Sequence, residues 1–141
     1  MKRLILVMVV VVLAAFAVGA EQITLGFVAA NQGAVTQATV SNRLEKIAKA
    51  EGWRIFISNA AGSWEKMNNL VENYVSRKVD AIVIAMGQAS SLQSSLQAAK
   101  NAGIPVIAID SEYSDLMTAD ILTNNWEMGA KIATYLVDRL N

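Results

Sequence analysis

Downstream of residue 20 the chain alternates two kinds of apolar pattern. This alternation limits its fold more than any other feature. Four runs of strand length, Ile23–Ala29, Arg54–Ser58, Ala81–Met86 and Pro105–Ile109, are nearly continuous in apolar residues. Strands buried on both faces read this way, which points to a parallel sheet with helices on each side. The intervening segments switch to helical spacing: Val40, Leu44, Ile47 and Ala48; Met67, Leu70, Val71, Tyr74 and Val75; Leu92, Leu96 and Ala99; then Met128, Ile132, Leu136 and Leu140. Each set makes one apolar stripe able to cover a sheet face. A short fifth strand is expected near Ala119–Thr123. The order β-α-β-α-β-α-β-(β)-α implies right-handed crossovers and an α/β fold, a three-layer doubly wound parallel sheet. Boundary residues agree. Gly52 and Gly103 fall just past helix ends, Ser63 and Ser90 stand where N-caps are wanted, and Pro105 opens a strand.

Composition removes whole classes of chemistry. With 141 residues the chain has the size of one domain, and 54% hydrophobic against 17% charged residues is enough for a core. There is no His and no Cys, so no zinc site of the usual ligand type, no thiol nucleophile, no imidazole triad and no disulfide framework. Twelve basic and twelve acidic residues give no electrostatic footprint for nucleic acid.

The N-terminus has the layout of an export signal. Lys2 and Arg3 precede an unbroken apolar run from Leu4 to Val18, and Val18-Gly19-Ala20 supplies small residues before Glu21. The run is shorter than the ~20 residues that span a bilayer, which favours a cleaved signal over a permanent anchor. Residues 1–20 are therefore expected to be a signal peptide cleaved near Ala20. Residues 21–141 form the domain, in a bacterial periplasm or secreted.

In an open parallel sheet, ligands bind outside the carboxyl ends of the strands. The residues just past each run are Asn31-Gln32-Gly33, Asn59-Ala60-Ala61-Gly62, Gly87-Gln88-Ala89, Asp110-Ser111-Glu112 and Thr123-Asn124-Asn125. This rim is rich in amides and hydroxyls, has one acid directly at a strand end, and has no basic residue. Amides and carboxylates together suit neutral, polyhydroxylated ligands, whereas phosphates call for Lys, Arg or a glycine nest. The same residue types also serve as turn and cap residues. Asp110 stands out because it ends the most hydrophobic strand. Asp80 precedes its strand and reads as a turn residue on the opposite edge. Trp64 and Trp126 fall near helix starts on the rim side, where a ring could stack on a sugar or fold over the core. The sequence holds no dinucleotide fingerprint, Walker run, nucleophile elbow or calcium-loop pattern. It offers no catalytic pair, no metal site and no cofactor motif.

With these residues in place, the chain resembles the N-terminal lobe of the type I periplasmic binding proteins for simple sugars, the ribose- and galactose-binding class of ABC importers. Val79-Asp80-Ala81-Ile82-Val83-Ile84 is similar to that family's "VDAIII" strand. Ala102-Gly103-Ile104-Pro105-Val106-Ile107-Ala108-Ile109-Asp110-Ser111 is similar to its "AGIPVV.ID(S/R)" segment. Thr123-Asn124-Asn125-Trp126-Glu127-Met128-Gly129 resembles "SDNYEGG", ahead of the helix taken to end the lobe. The resemblance implies that Asp110 bonds sugar hydroxyls, with Asn31 and Gln32 lining the same rim.

Three departures qualify the resemblance. Ala34 and Val35 stand where ribose binders carry a pair of Phe rings, and Asp110-Ser111 stands where they carry Asp-Arg. Both argue against ribose itself, and the second is similar to subfamilies that read other sugars, polyols or sugar-like signals. The family has two lobes joined by a hinge, whereas this sequence stops at Asn141 at the end of a helix, so the expectation is either a truncated two-lobed protein or a lobe that works alone, binding weakly, or as a homodimer.

The expected function is a non-enzymatic solute-binding lobe. It would take a sugar or polyol through Asp110, Asn31, Gln32, Ser111 and Asn125, with Trp64 or Trp126 as a stacking wall, and serve an ABC permease or a chemoreceptor. The alternative is an interaction module that docks on a sensor or permease without binding solute.

Overall fold

The computed structural model describes residues 22–140. The expected signal segment, residues 1–20, lies outside them. In chain order the elements are β1 (Thr24–Ala29), α1 (Val35–Ala50), β2 (Arg54–Asn59), α2 (Trp64–Ser76), β3 (Ala81–Ala85), a 3-10 turn (Ala89–Ser91), α3 (Gln93–Asn101), β4 (Val106–Ile109), β5 (Ala119–Ile121) and α4 (Asn125–Leu140). All pairings in the five-stranded sheet are parallel, in the order β2-β1-β3-β4-β5. The doubly wound α/β sheet read from the sequence is the one observed. Strand order reverses between β1 and β3, which makes their carboxyl ends the natural crevice of such a sheet.

Alternation along each strand divides the core in two. On one face Val28, Ile82, Ile84 and Val106 meet Met67, Val71 and Tyr74 of α2, Leu92 just before α3, and Leu96 and Ala99 of α3, all buried. Each large side chain removed from water there contributes about 1.5–3 kcal/mol. On the other face Phe27, Ala29, Val83 and Ala85 meet Val40 and Leu44 of α1, which lies over β1 and β2.

The Tyr74 ring lies against Gly26, where an added Cβ would clash with ring atom Cδ2. The Tyr74 hydroxyl donates to the Phe56 carbonyl at 3.0 Å and shares a 2.7 Å bond with Ser58 Oγ. Burial pushes its pKa above the ordinary tyrosine value, partly offset by the Ser58 bond and the Arg77 charge.

Helix ends follow the local chemistry. Ser63 Oγ accepts from the Lys66 N–H at 3.1 Å and caps α2, while Gly52 and Gly103 take φ of +72° and +71° just past helix ends. Ser90 is not the cap expected of it. Its N–H and hydroxyl both donate to Glu112 Oε2, at 3.0 and 2.8 Å, and α3 begins later at Gln93. The hydroxyl is committed to tying two rim loops together. Asp80 is a turn residue on the opposite edge, as read, with Oδ2 accepting from the Thr24 N–H at 2.6 Å.

The last helix departs from expectation. Its stripe was expected to cover a sheet face, yet no residue of α4 is buried. Local bonds alone start it. Asn124 Oδ1 accepts from the Glu127 N–H at 3.0 Å, Asn124 Nδ2 donates to Glu127 Oε2 at 3.1 Å, and Lys131 pairs with Glu127 at 2.6 Å. These bonds fix where the helix begins and say nothing about what its apolar side meets.

Candidate functional site

The carboxyl ends of β3 and β4 and the first turns of α1 border a cavity of about 220 Å³. It is lined by Thr36, Gln37 and Val40 of α1, Ala85 and Met86 after β3, Ile109 and Asp110 after β4, and Thr123 after β5. Asp110 is the one charged residue of the lining. Its backbone is held at φ +50°, a region that residues with a Cβ rarely adopt, and its N–H donates to the Ile121 carbonyl at 2.9 Å. Neighbouring Met86 is held at φ +55°. Strained positions of this kind persist only where the surroundings over-determine them, and they collect at binding sites. Among the described residues, no donor reaches the Asp110 carboxylate, which is exposed at the cavity mouth.

Gln37 organises the switch point. It is 5% exposed, its Oε1 accepts from the Asn31 N–H at 2.9 Å, and its Nε2 lies 3.1 Å from Met86 Sδ. One side chain therefore ties the loop after β1 to the loop after β3. Sequence reading did not single out Gln37. The only signal was a Gln in the first turn of a helix that follows a rim loop, a position where exposed amides are ordinary.

The structure separates the residues named from the sequence. Asp110 lines the cavity, and Asn31 joins its edge through Gln37. Asn31 Oδ1 accepts from the Gly33 N–H at 2.9 Å, which shapes its own turn and leaves the amide nitrogen as the group able to reach a ligand. Gln32 is half-buried, and its N–H donates to Asn59 Oδ1 at 3.0 Å. Ser111 Oγ accepts from the Gly87 N–H at 2.9 Å and lies 3.2 Å from the Ile109 carbonyl. Those bonds hold the β3 and β4 loops together.

Glu112 completes the clasp. The backbone and hydroxyl bonds from Ser90 hold its carboxyl below the usual glutamate value. Trp64, the first residue of α2, lies outside the cavity lining. Asn125 and Trp126 belong to α4, where they line a separate groove with Gly129, Ala130 and Ala133. The exposed Trp126 ring is therefore no wall of the Asp110 cavity. The described residues contain no cluster of three or more acidic side chains that could hold a metal ion.

The match to known proteins agrees with this layout. Residues 25–141 match the periplasmic binding protein domain, and the chain belongs to that family. It is 28% identical over 99 residues to the ribose import binding protein of Bacillus subtilis strain 168, covering 69% of this chain and 32% of that one. It is 32% identical over 94 residues to the D-xylose-binding periplasmic protein of Escherichia coli K12, covering 66% of this chain and 28% of that protein. Among solved structures, a glycerol-bound ABC transporter solute-binding protein from Mycobacterium smegmatis superposes with a TM-score of 0.79 at 27% identity, covering 85% of this chain and 42% of that one. The chain thus spans about a third of the length of these curated relatives.

Proposed function

We propose that this chain is a sugar- or polyol-recognising lobe of a solute-binding protein that serves an ABC importer. The observation that carries the reading is Asp110: an exposed carboxylate at a strained backbone position, lining a cavity shared with Thr36, Gln37 and Thr123. A carboxylate accepts two hydroxyl bonds at once, and the Asn31 amide and the two threonine hydroxyls add donors and acceptors around it. No basic side chain lines the cavity, which supports a neutral ligand over a phosphate or carboxylate. The apolar floor of Val40, Ala85 and Ile109 suits the carbon face of a sugar or polyol. The matched relatives named for ribose and xylose, and the one holding glycerol, support the same ligand class. The periplasmic name of the xylose-binding relative, with the Lys2-Arg3 and apolar opening of this chain, supports export.

The test is a thermal-shift screen with neutral pentoses, hexoses and polyols. Ligand at ten times its Kd adds about 1.4 kcal/mol of stability, a rise of a few degrees in Tm. At least one ligand should raise the Tm of the parent and of Asp80→Ala, and none should raise that of Asp110→Ala. An equal shift in Asp110→Ala and the parent contradicts the assignment.

A further inference from the structure

One buried amide at the rim is only half used. Gln37, the third residue of α1, is buried and lines the Asp110 cavity. Chemistry fixes which way its amide points. The Asn31 N–H can only donate, so the amide oxygen must face it, and Oε1 accepts that bond at 2.9 Å. The nitrogen is thereby turned towards Met86, where Nε2 lies 3.1 Å from Sδ. This nitrogen carries two hydrogens, and a thioether sulfur is a weak acceptor. Among the described residues, no oxygen accepts from it. Buried donors normally find an oxygen, so one left on sulfur calls for a cause.

The sulfur is the movable partner. The Met86 backbone is pinned, with its N–H donating to the Ile109 carbonyl at 2.8 Å. Its side chain is unbranched and turns about three bonds, which makes it one of the most adaptable of all side chains. Gln37 is the opposite case. Its amide is anchored at Asn31, in a turn that the bond from the Gly33 N–H to Asn31 Oδ1 closes at 2.9 Å. A ligand oxygen can therefore displace the sulfur without moving the amide. The exchange replaces a weak acceptor by a strong one, with the donor already oriented.

We propose that Gln37 is a specificity-determining residue of this cavity, whose Nε2 leaves the Met86 sulfur to donate to an oxygen of the bound ligand. The inference rests on the ligand reading given above and deepens it. Asp110 and Gln37 line one cavity and make opposite demands. The carboxylate takes hydroxyl protons, whereas the amide nitrogen takes an oxygen lone pair. Together they select a ligand with an acceptor oxygen close to a donating hydroxyl, as in a sugar ring or a vicinal polyol. An ammonium or guanidinium ligand, which has no lone pair to offer, would satisfy Asp110 and not Gln37. A ligand lacking the acceptor oxygen leaves the amide on sulfur and gains nothing from it.

The test is an amide NMR titration of the full chain with D-xylose, D-ribose, D-glucose and glycerol in turn. The side-chain amide pair of Gln37, assigned by its disappearance in Gln37→Glu, is followed beside the backbone amide of Asp110. Both should shift along one saturation curve. Met86→Leu keeps the volume and removes the sulfur. Because ligand and sulfur compete for one donor, this variant should bind the same probe about three- to tenfold more tightly than the parent. A contact that only holds the fold together predicts equal or weaker binding, and that result would overturn the proposal. Gln37→Glu keeps an oxygen for the Asn31 N–H but loses the donor, so it should bind about tenfold more weakly. Parent-like affinity in Gln37→Glu contradicts the role. A Gln37 side-chain amide that stays still while Asp110 saturates overturns it as well, and leaves the ligand reading standing. Silence at both residues with all four probes would overturn the ligand reading and this inference with it.

Discussion

The sheet from β1 to β4 and the arm of β5 and α4 are built from the same kind of sequence and end in opposite states. The stripe of Met67, Val71 and Tyr74 is sealed in the core with Val28, Ile82 and Ile84, whereas Met128, Ile132, Leu136 and Leu140 are each about half exposed or more. Spacing specifies that a helix has an apolar face. It does not specify the surface that face will find. The difference lies in long-range packing.

Substitutions sharpen that contrast, beginning with the largest effects. Leu96→Ala in the sealed core should cost about 2–5 kcal/mol in chemical denaturation, while Ile132→Ala should change the stability of the isolated lobe by less than ~0.5 kcal/mol. Equal losses would mean that α4 is packed on its own sheet. Glycine substitutions should differ in sign. A side chain at Gly26 meets the Tyr74 ring, so Gly26→Ala should destabilise by about 1–3 kcal/mol. No atom lies within 4 Å of a Cβ at Gly129, so Gly129→Ala should favour α4 by up to ~1 kcal/mol, read as helical circular dichroism.

Asp120 gives a third contrast. Both carboxylate oxygens are buried without a hydrogen-bond partner among the described residues, on the same sheet face as its register neighbour Ala108. An unpartnered buried polar group costs about 1–3 kcal/mol, so Asp120→Val should raise the denaturation midpoint, and a lowered midpoint would reveal a donor. Ser63→Ala, which removes the α2 cap, should cost ~1 kcal/mol.

The smallest effect concerns pH. The Glu112 pKa is lowered on folding, so its bonds to Ser90 contribute above the ordinary glutamate pKa and are lost as pH falls through the lowered value. The Ser90 amide resonance should titrate with a midpoint below that of an ordinary glutamate and stop titrating in Glu112→Gln. A midpoint at or above the ordinary value would mean that the clasp is open in solution.

Much of this was legible in the sequence because the physics involved is local. Continuous apolar runs gave the strands to within a residue or two, Gly52, Gly103 and Ser63 marked helix ends, and the strand-end position of Asp110 placed it at the rim. What was not legible depends on contacts distant in sequence. Gln37 became an organiser because Asn31 and Met86, from two different strands, come within reach of one amide. Ser90 lost its capping role to Glu112, 22 residues away. Ser111 and Trp126 look like ligand residues by type, yet one is bound into the rim loops and the other sits on an arm beside a different groove.

The central claim is that a neutral, hydroxyl-rich ligand is held at the carboxyl ends of β3 and β4, beside the start of α1. An amide NMR titration of the parent lobe with the sugar or polyol that shifts its melting point tests this most directly, since it registers weak binding residue by residue. The account predicts saturable shifts at Asn31, Gln37, Met86 and Asp110, absent in Asp110→Ala. Shifts confined to α4, or none with any neutral sugar or polyol, would contradict it.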